Sequence, residues 1–260
     1  MTLSVVIPVY NEEENIVPLF ERLSAVVSTL EFDSVEFIFV NDGSVDSTLD
    51  TIKKLPSSKV SVGYIDLSRN FGHQIAVTAG LDRSVGELIV IIDADLQDPP
   101  ELIAEMVAKA QTGFDVVYAR RRKRKGESFL KKATAKYFYR LLASITSVDI
   151  PIDTGDFRIV SRRVVEALKQ MPEREKFLRG QIAWIGFNQT YVEYDRDERM
   201  TGDTGYTWRK MIRFALDGIT SFSNFPLKMA TISGFVMSFV SFLLMLYALY
   251  SRFILKVYEP

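Results

Sequence analysis

The chain has 260 residues, enough for one large domain or for a domain with an appendage. Its content of 47% hydrophobic and 25% charged residues excludes wholesale disorder, and a formal net charge of -1 gives no global basic field for nucleic acid. With no cysteine and a single histidine, His73, disulfide frameworks, thiolate zinc sites and cysteine nucleophiles are excluded, and a Ser-His-Asp triad or multi-histidine metal site is disfavoured.

Residues Met1 to Pro8 carry no basic stretch followed by a long apolar one, so no signal peptide is expected and the first residues read as a strand. The predicted elements then alternate. Strands are expected over Leu3–Val9, Val35–Val40, Val60–Leu67 and Leu88–Ile92, with a fifth beginning at Val116–Tyr118. Helices are expected over about Glu13–Leu30, Ser47–Leu55, His73–Ser84 and Glu101–Thr112. Continuous Val/Ile runs indicate strands buried on both faces, and their alternation with helices indicates an α/β fold with a parallel sheet and right-handed crossovers. Ligands of such sheets bind beyond the carboxyl ends of the strands.

Residues Arg120 to Gly126 read as a break dense in basic side chains, either a solvated loop or a surface for anionic lipid headgroups. A helix over about Phe129–Ile145 follows, then a polar turn at Asp153-Thr154-Gly155-Asp156 before another strand–helix unit. Trp208, Met211, Ile212, Ala215, Ile219 and Phe222 follow helical spacing, which fits a helix at a membrane surface and equally one facing a core. Met229 to Ser251 contains no charged residue. At ~1.5 Å per residue it can cross a ~30 Å hydrocarbon core. Lys228 and Arg252 bracket it, and Tyr247 and Tyr250 sit near one end, as interface residues do. Gly234 and Ser238 form a small-xxx-small pair that could pack against a second copy, so a homo-oligomer is expected.

The strongest chemical signal is Leu88-Ile89-Val90-Ile91-Ile92-Asp93-Ala94-Asp95-Leu96-Gln97-Asp98. In extended backbone residues i and i+2 face the same way, so the carboxylates of Asp93 and Asp95 should converge at the ligand edge of the sheet. Two like charges there call for a cation, and hard oxygen ligands select Mg²⁺ or Mn²⁺, with Gln97 and Asp98 placed to complete or orient the set. Asp42, after the second strand, can accept hydrogen bonds from a base or ribose, or shape its loop with Gly43 as an Asx turn. Pro8, Tyr10 and Glu12 can wall a base pocket, or the same stretch can be a helix start capped by Asn11. His73, at a helix start, reads as structural.

In order and spacing, Val6-Ile7-Pro8-Val9-Tyr10-Asn11-Glu12, Val40-Asn41-Asp42-Gly43-Ser44, Asn70-Phe71-Gly72 and Asp93-Ala94-Asp95-Leu96-Gln97-Asp98 resemble the inverting glycosyltransferases of family 2, with the GT-A fold. Asp153-Thr154-Gly155-Asp156-Phe157-Arg158 and the terminal apolar segment narrow the resemblance to the polyprenyl-phosphate glycosyltransferases, of the bactoprenol glucosyltransferase and dolichol-phosphate mannose synthase type. The resemblance implies that Pro8, Tyr10, Glu12 and Asp42 hold the nucleoside. It implies that Asp93, Asp95 and Gln97 bind a metal and the donor diphosphate, and that Arg121 and Lys132 contact the acceptor phosphate. Asp156 would lie beside the reacting centre, as a base or as an orienting group, and Arg199 would close over the donor phosphate. Asp156, Asp95 and Arg121 are thus the expected catalytic residues. Ala135 and Gly205 depart from the family pattern, which relatives often fill with a serine and a basic residue. The implied organisation is a catalytic domain over 1–205, an interfacial helix over 206–226 and a membrane anchor over 227–260 without the second membrane helix that relatives usually carry. The implied place is the cytoplasmic face of the membrane. UDP-glucose and undecaprenyl phosphate are the expected substrates. The alternatives are GDP-mannose with dolichyl phosphate, or a non-catalytic nucleotide-sugar binding protein. A processive synthase is disfavoured, because Arg179-Gly180-Gln181-Ile182-Ala183-Trp184 does not supply a Gln-x-x-Arg-Trp signature.

Overall fold

The computed structural model describes residues 1–57, 60–122, 154–173, 176–195 and 225–255. The element order is β1 (Thr2–Val9), α1 (Ile16–Val27), β2 (Ser34–Asn41), α2 (Thr48–Lys53), β3 (Ser61–Asp66), α3 (His73–Arg83), β4 (Leu88–Ile91), α4 (Leu102–Gln111) and β5 (Val116–Arg121). After the gap come β6 (Thr154–Ser161), α5 (Arg162–Lys169), α6 (Leu178–Ile185), β7 (Gln189–Tyr194) and α7 (Phe225–Phe253). All the strands and helices expected up to residue 118 are present. The expected helix over 129–145 and the amphipathic segment from Trp208 to Phe222 lie outside the described residues, as do Ala135 and Gly205.

The strands form one seven-stranded sheet in the order β3-β2-β1-β4-β6-β5-β7. β1 buries residues on both faces, and the two faces feed separate cores. Leu3, Val5, Ile7 and Val9 pack with Ile16, Leu19 and Leu23 of α1 and Ile103 and Met106 of α4. Val6 turns the other way, toward Ala76, Val77 and Leu81 of α3 and Val164, Val165 and Leu168 of α5. This three-layer arrangement is why the strands read as unbroken apolar runs. Gly80 lets α3 approach closely, since a Cβ there would lie 2.3 Å from Val6 Cγ1.

Two sequence expectations need correction here. The basic break does not begin at Arg120, because β5 runs on to Arg121, paired in parallel with β7 from Val116↔Gln189 to Arg121↔Tyr194. Nor is Thr154-Gly155-Asp156 a turn ahead of a strand, because these residues open β6. β6 is antiparallel to both β4 and β5, so the sheet is mostly rather than wholly parallel. A strand that runs backwards brings its amino end to the edge where the parallel strands present their carboxyl ends.

At the far end of the described chain α7 spans 29 residues, and Leu227–Phe253 within it has a mean hydropathy of 2.1. It is long and apolar enough to cross a membrane, and Phe235, Met237 and Leu244 expose most of their surface.

Candidate active site

The first three loops at the carboxyl edge are built by side chains that take up backbone donors. Asn11, with φ 55, accepts the Val45 N–H at Oδ1 (2.9 Å), and its own N–H donates to Ser44 Oγ (2.9 Å). It therefore ties two loops together, and the alternative of a helix start capped by Asn11 does not hold, since α1 starts later, after Asn15. Asp42, 3% exposed, accepts the Phe71 N–H at 2.7 Å and the Gly72 N–H at 2.9 Å. Asp42 therefore braces the loop after β3 rather than forming the Asx turn offered by its own loop, where Asn41 Oδ1 accepts the Ser44 N–H at 3.1 Å, and each Asp42 oxygen keeps a further lone pair for a ligand. Gly43, at φ 70, allows the contact: a Cβ would meet the Arg69 carbonyl carbon at 2.4 Å. Pro8 is buried in β1, Tyr10 is 45% exposed just beyond it, and Glu12 accepts from Asn15 Nδ2 at 2.6 Å.

The next loop departs from the expected geometry. β4 ends at Ile91, and Ala94 and Asp95 lie in a turn with Leu96 at φ 58. The extended-backbone argument for Asp93 and Asp95 facing one point therefore fails at Ala94. Asp95 Oδ1 accepts the Gln97 N–H at 3.1 Å. What meets Asp93 comes from elsewhere. The β4–β6 register runs from Leu88↔Ser161 to Ile91↔Arg158, and two more steps bring Asp156 beside Asp93. His73, at the start of α3, completes the group: Nε2 lies 3.6 Å from Asp93 Oδ1 and 3.2 Å from Asp156 Oδ2. Burial disfavours charge on the imidazole, but Asp93 and then Asp156 outweigh it and raise its pKa to about 9. Burial pushes Asp93 up to about 6, with His73 pulling the other way. At neutral pH His73 thus supplies the positive charge that two adjacent carboxylates require.

Asp156 is surrounded by donors. Oδ1 accepts from Arg158 Nη2 (3.1 Å) and Arg179 Nε (2.9 Å), while Oδ2 accepts from Arg179 Nη2 (3.0 Å) and faces His73. Burial would raise its pKa, but Arg179, His73 and Arg158 together hold it well below the usual carboxylate range. Arg158 is 1% exposed, lies over the Tyr118 ring at 5.2 Å, and also donates to the Gly155 and Asp156 carbonyls. Two arginine donors thus meet Oδ1 and one meets Oδ2, with His73 Nε2 at 3.2 Å, so cationic side chains surround the carboxylate. His73, Arg158 and Arg179 were missed as site residues in the sequence. Two signals were there: an arginine flanked by Phe157 and Ile159 in a buried strand, and one opening an otherwise uncharged helix.

His73, Asp93 and Asp156 offer ligand atoms within 4.8 Å of one another, and Asp95 is not part of that group. Oxygen and imidazole donors suit a divalent cation, and Asp93 Oδ1 is buried without a hydrogen-bond partner among the described residues. The residues present fit such an ion, which would compete with the His73 proton. Arg121 lies nearby at the end of β5 and meets Asp98 and Tyr194. Lys132 and Arg199 lie outside the described residues.

Comparison with known proteins places this arrangement. The model of "Glycosyl transferase family 2" matches residues 4–169. An uncharacterized glycosyltransferase of Bacillus subtilis, YkcC, is 52% identical over 96% of this chain and 77% of its own. A prophage bactoprenol glucosyl transferase homolog of Escherichia coli is 44% identical over 94% of this chain and 79% of its own. Among solved structures, a mannosyltransferase from Pyrobaculum calidifontis in complex with GDP-Man and Mn²⁺ shares the fold, with a TM-score of 0.58 at 20% identity over 84% of this chain and 63% of that one. With the mostly parallel sheet and the acidic site at its carboxyl edge, these likenesses show that the chain belongs to glycosyl transferase family 2.

Proposed function

We propose that the chain transfers a hexose, glucose from UDP-glucose in the first instance, to undecaprenyl phosphate at the cytoplasmic face of a membrane, with inversion at the sugar. The observation that carries this reading is the cluster of Asp93, Asp156, His73, Arg158 and Arg179 at the ligand edge of a family 2 sheet. The name of the Escherichia coli relative supports the lipid acceptor and the glucosyl group. The apolar helix α7 supports a membrane anchor, with the stretch over 206–226 as its interfacial lead-in and the catalytic domain over 1–205. GDP-mannose is the second donor to test.

The chemistry asks little of a general base. A phosphate monoester has a second pKa near ~6 and is largely a dianion at neutral pH. Its oxygen attacks the anomeric carbon as the bond from that carbon to the diphosphate oxygen breaks. The dianion becomes a diester monoanion and the nucleoside diphosphate leaves with one more negative charge, so no proton has to move. What the site must supply is positive charge where two anions meet. Arg121 on the acceptor side, with Lys132, and Arg199 on the donor side are the residues proposed for this. Asp156 fixes the cations around it. Pro8, Tyr10, Glu12 and Asp42 are proposed to wall the nucleoside. A divalent cation, Mg²⁺ or Mn²⁺, held by Asp93 with Asp95 and Gln97 or with His73, would neutralise the leaving diphosphate.

The test is transfer from a panel of radiolabelled nucleotide sugars to undecaprenyl phosphate in membranes, with either metal or with chelator. Metal-dependent label in the lipid phase from UDP-glucose is the expected result. Lipid label from GDP-mannose alone would replace the donor. No lipid product from any donor would overturn the acceptor. Crosslinking in membranes tests the expected homo-oligomer, with Gly234→Leu predicted to reduce it.

A further inference from the structure

Arg121, the last residue of β5, is held from two sides. Its Nε donates to Tyr194 Oη at 3.2 Å, and its Nη2 lies 3.6 Å from Asp98 Oδ1. Tyr194 Oη donates in turn to that same Asp98 oxygen. Asp98 is 1% exposed and Tyr194 5% exposed, so these two corners of the triangle, drawn from the loop after β4 and the end of β7, are shut off from water, while the Arg121 side chain at the end of β5 keeps 20% exposure. Burial and the neighbouring Asp98 charge push the Tyr194 pKa up, which keeps its hydroxyl a donor. Gly155 makes room for the triangle next to Asp156: a Cβ there would lie 3.0 Å from Arg121 Nη2 and 3.7 Å from Asp98 Oδ2.

A guanidinium is a rigid planar fork, so tying Nε and one Nη along one side sets the direction of the whole group. A solvated arginine at a strand end would have no such restriction and would lose rotamer freedom on meeting an anion. Burying a carboxylate and a phenol to restrain one arginine serves a purpose if that arginine must meet a ligand in one orientation.

We propose that Tyr194 is a positioning residue for the acceptor: through the shared oxygen of Asp98 it fixes the Arg121 guanidinium in the orientation that receives the lipid phosphate. This rests on the acceptor reading given above. It also gives β7 a part in the site, since no residue of that strand was expected to belong to it.

The experiment is a double-mutant cycle on the full chain in membranes, using undecaprenyl phosphate as the acceptor. Tyr194→Phe keeps the ring and removes the tie. It is expected to raise KM for undecaprenyl phosphate by about 10-fold, the scale of one hydrogen bond to a charged group, with KM for the donor unchanged. Arg121→Lys should raise the acceptor KM as well, and adding Tyr194→Phe to it should have no further effect. An equal rise in both KM values, or a Tyr194→Phe effect of full size in the Arg121→Lys background, would overturn the positioning role. If Tyr194→Phe does not fold, as judged by thermal unfolding, Asp98→Asn takes its place in the cycle with the same expectation. No lipid product from the unmodified chain would instead overturn the acceptor reading itself, and the positioning role with it.

Discussion

The two halves of the site edge are made differently. Beyond β1, β2 and β3, the side chains of Asn11, Asp42 and Ser44 serve backbone N–H groups, and the loops are set by local hydrogen bonds. Beyond β4, β6, β5 and β7, charged side chains serve one another, through Asp93, Asp156, His73, Arg158 and Arg179 in one cluster and Asp98 and Arg121 in the next. The first half is the one proposed to hold the base and the ribose, and its acidic side chains are spent largely on backbone N–H groups. The second half is the one proposed to meet the phosphates, and its charges are paired with one another before a ligand arrives, which would leave less reorganisation for the reaction.

That contrast can be broken at graded cost. The largest effect is expected at Asp93, on the charged side: Asp93→Asn should lower transfer by on the order of 10²- to 10³-fold, the scale of losing one preorganised electrostatic group. Rates with the fold checked by circular dichroism decide it, and a loss below tenfold would remove Asp93 from the centre. Next is Arg179→Ala. Removing one partner of a well-buried pair costs about 3–5 kcal/mol. Since Arg158 and His73 remain on Asp156 and Arg179 is 29% exposed, about 2 kcal/mol of stability is expected here, read from the denaturant midpoint. Arg179→Lys should recover part of it, because the charge returns without the fork.

Among the first three loops, Asp42→Ala strands the Phe71 and Gly72 N–H groups and should cost about 1–3 kcal/mol, with Asp42→Asn falling between it and the unmodified chain. If Asp42→Ala alters donor KM without altering stability, its nucleoside role outweighs its loop role. The smallest effect lies away from both. Arg22 forks onto Glu101 at 3.0 and 2.7 Å, and that hydrogen bonding lowers the Glu101 pKa. A depressed carboxyl contributes stability that is present above its unfolded pKa and lost as pH falls through the folded one. Because the pair is exposed, Glu101→Gln should change stability by no more than about 0.5 kcal/mol, and by less still in acid. A larger change in acid than at neutral pH would reverse this sign.

The elements up to β5 were readable because their signals are local. An apolar run such as Leu88-Ile89-Val90-Ile91 needs no partner to be recognised as a buried strand, and the polar residues after it fall at the ligand edge by the geometry of any parallel sheet. The family likeness, which rests on motifs and their order, was readable for the same reason. Asp93 and Asp156 were found this way as separate candidates, 63 residues apart by their numbers.

How those candidates come together was decided by tertiary structure. Nothing local in Thr154–Ser161 says that it runs against its neighbours, and it is this direction that puts Asp156 beside Asp93. The turn at Ala94 moves Asp95 off the line that a straight strand would have given it. His73, Arg179 and Tyr194 come from two helix starts and a strand end, and no periodicity links their positions to Asp93, Asp156 or Asp98. The sequence by itself thus determined which segments are buried and which chemistry sits at their ends, because hydrophobic pattern is a property of neighbours along the chain. Strand direction, register and charge pairing belong to residues far apart along it, and only the folded sheet brings them within the few ångströms over which they act.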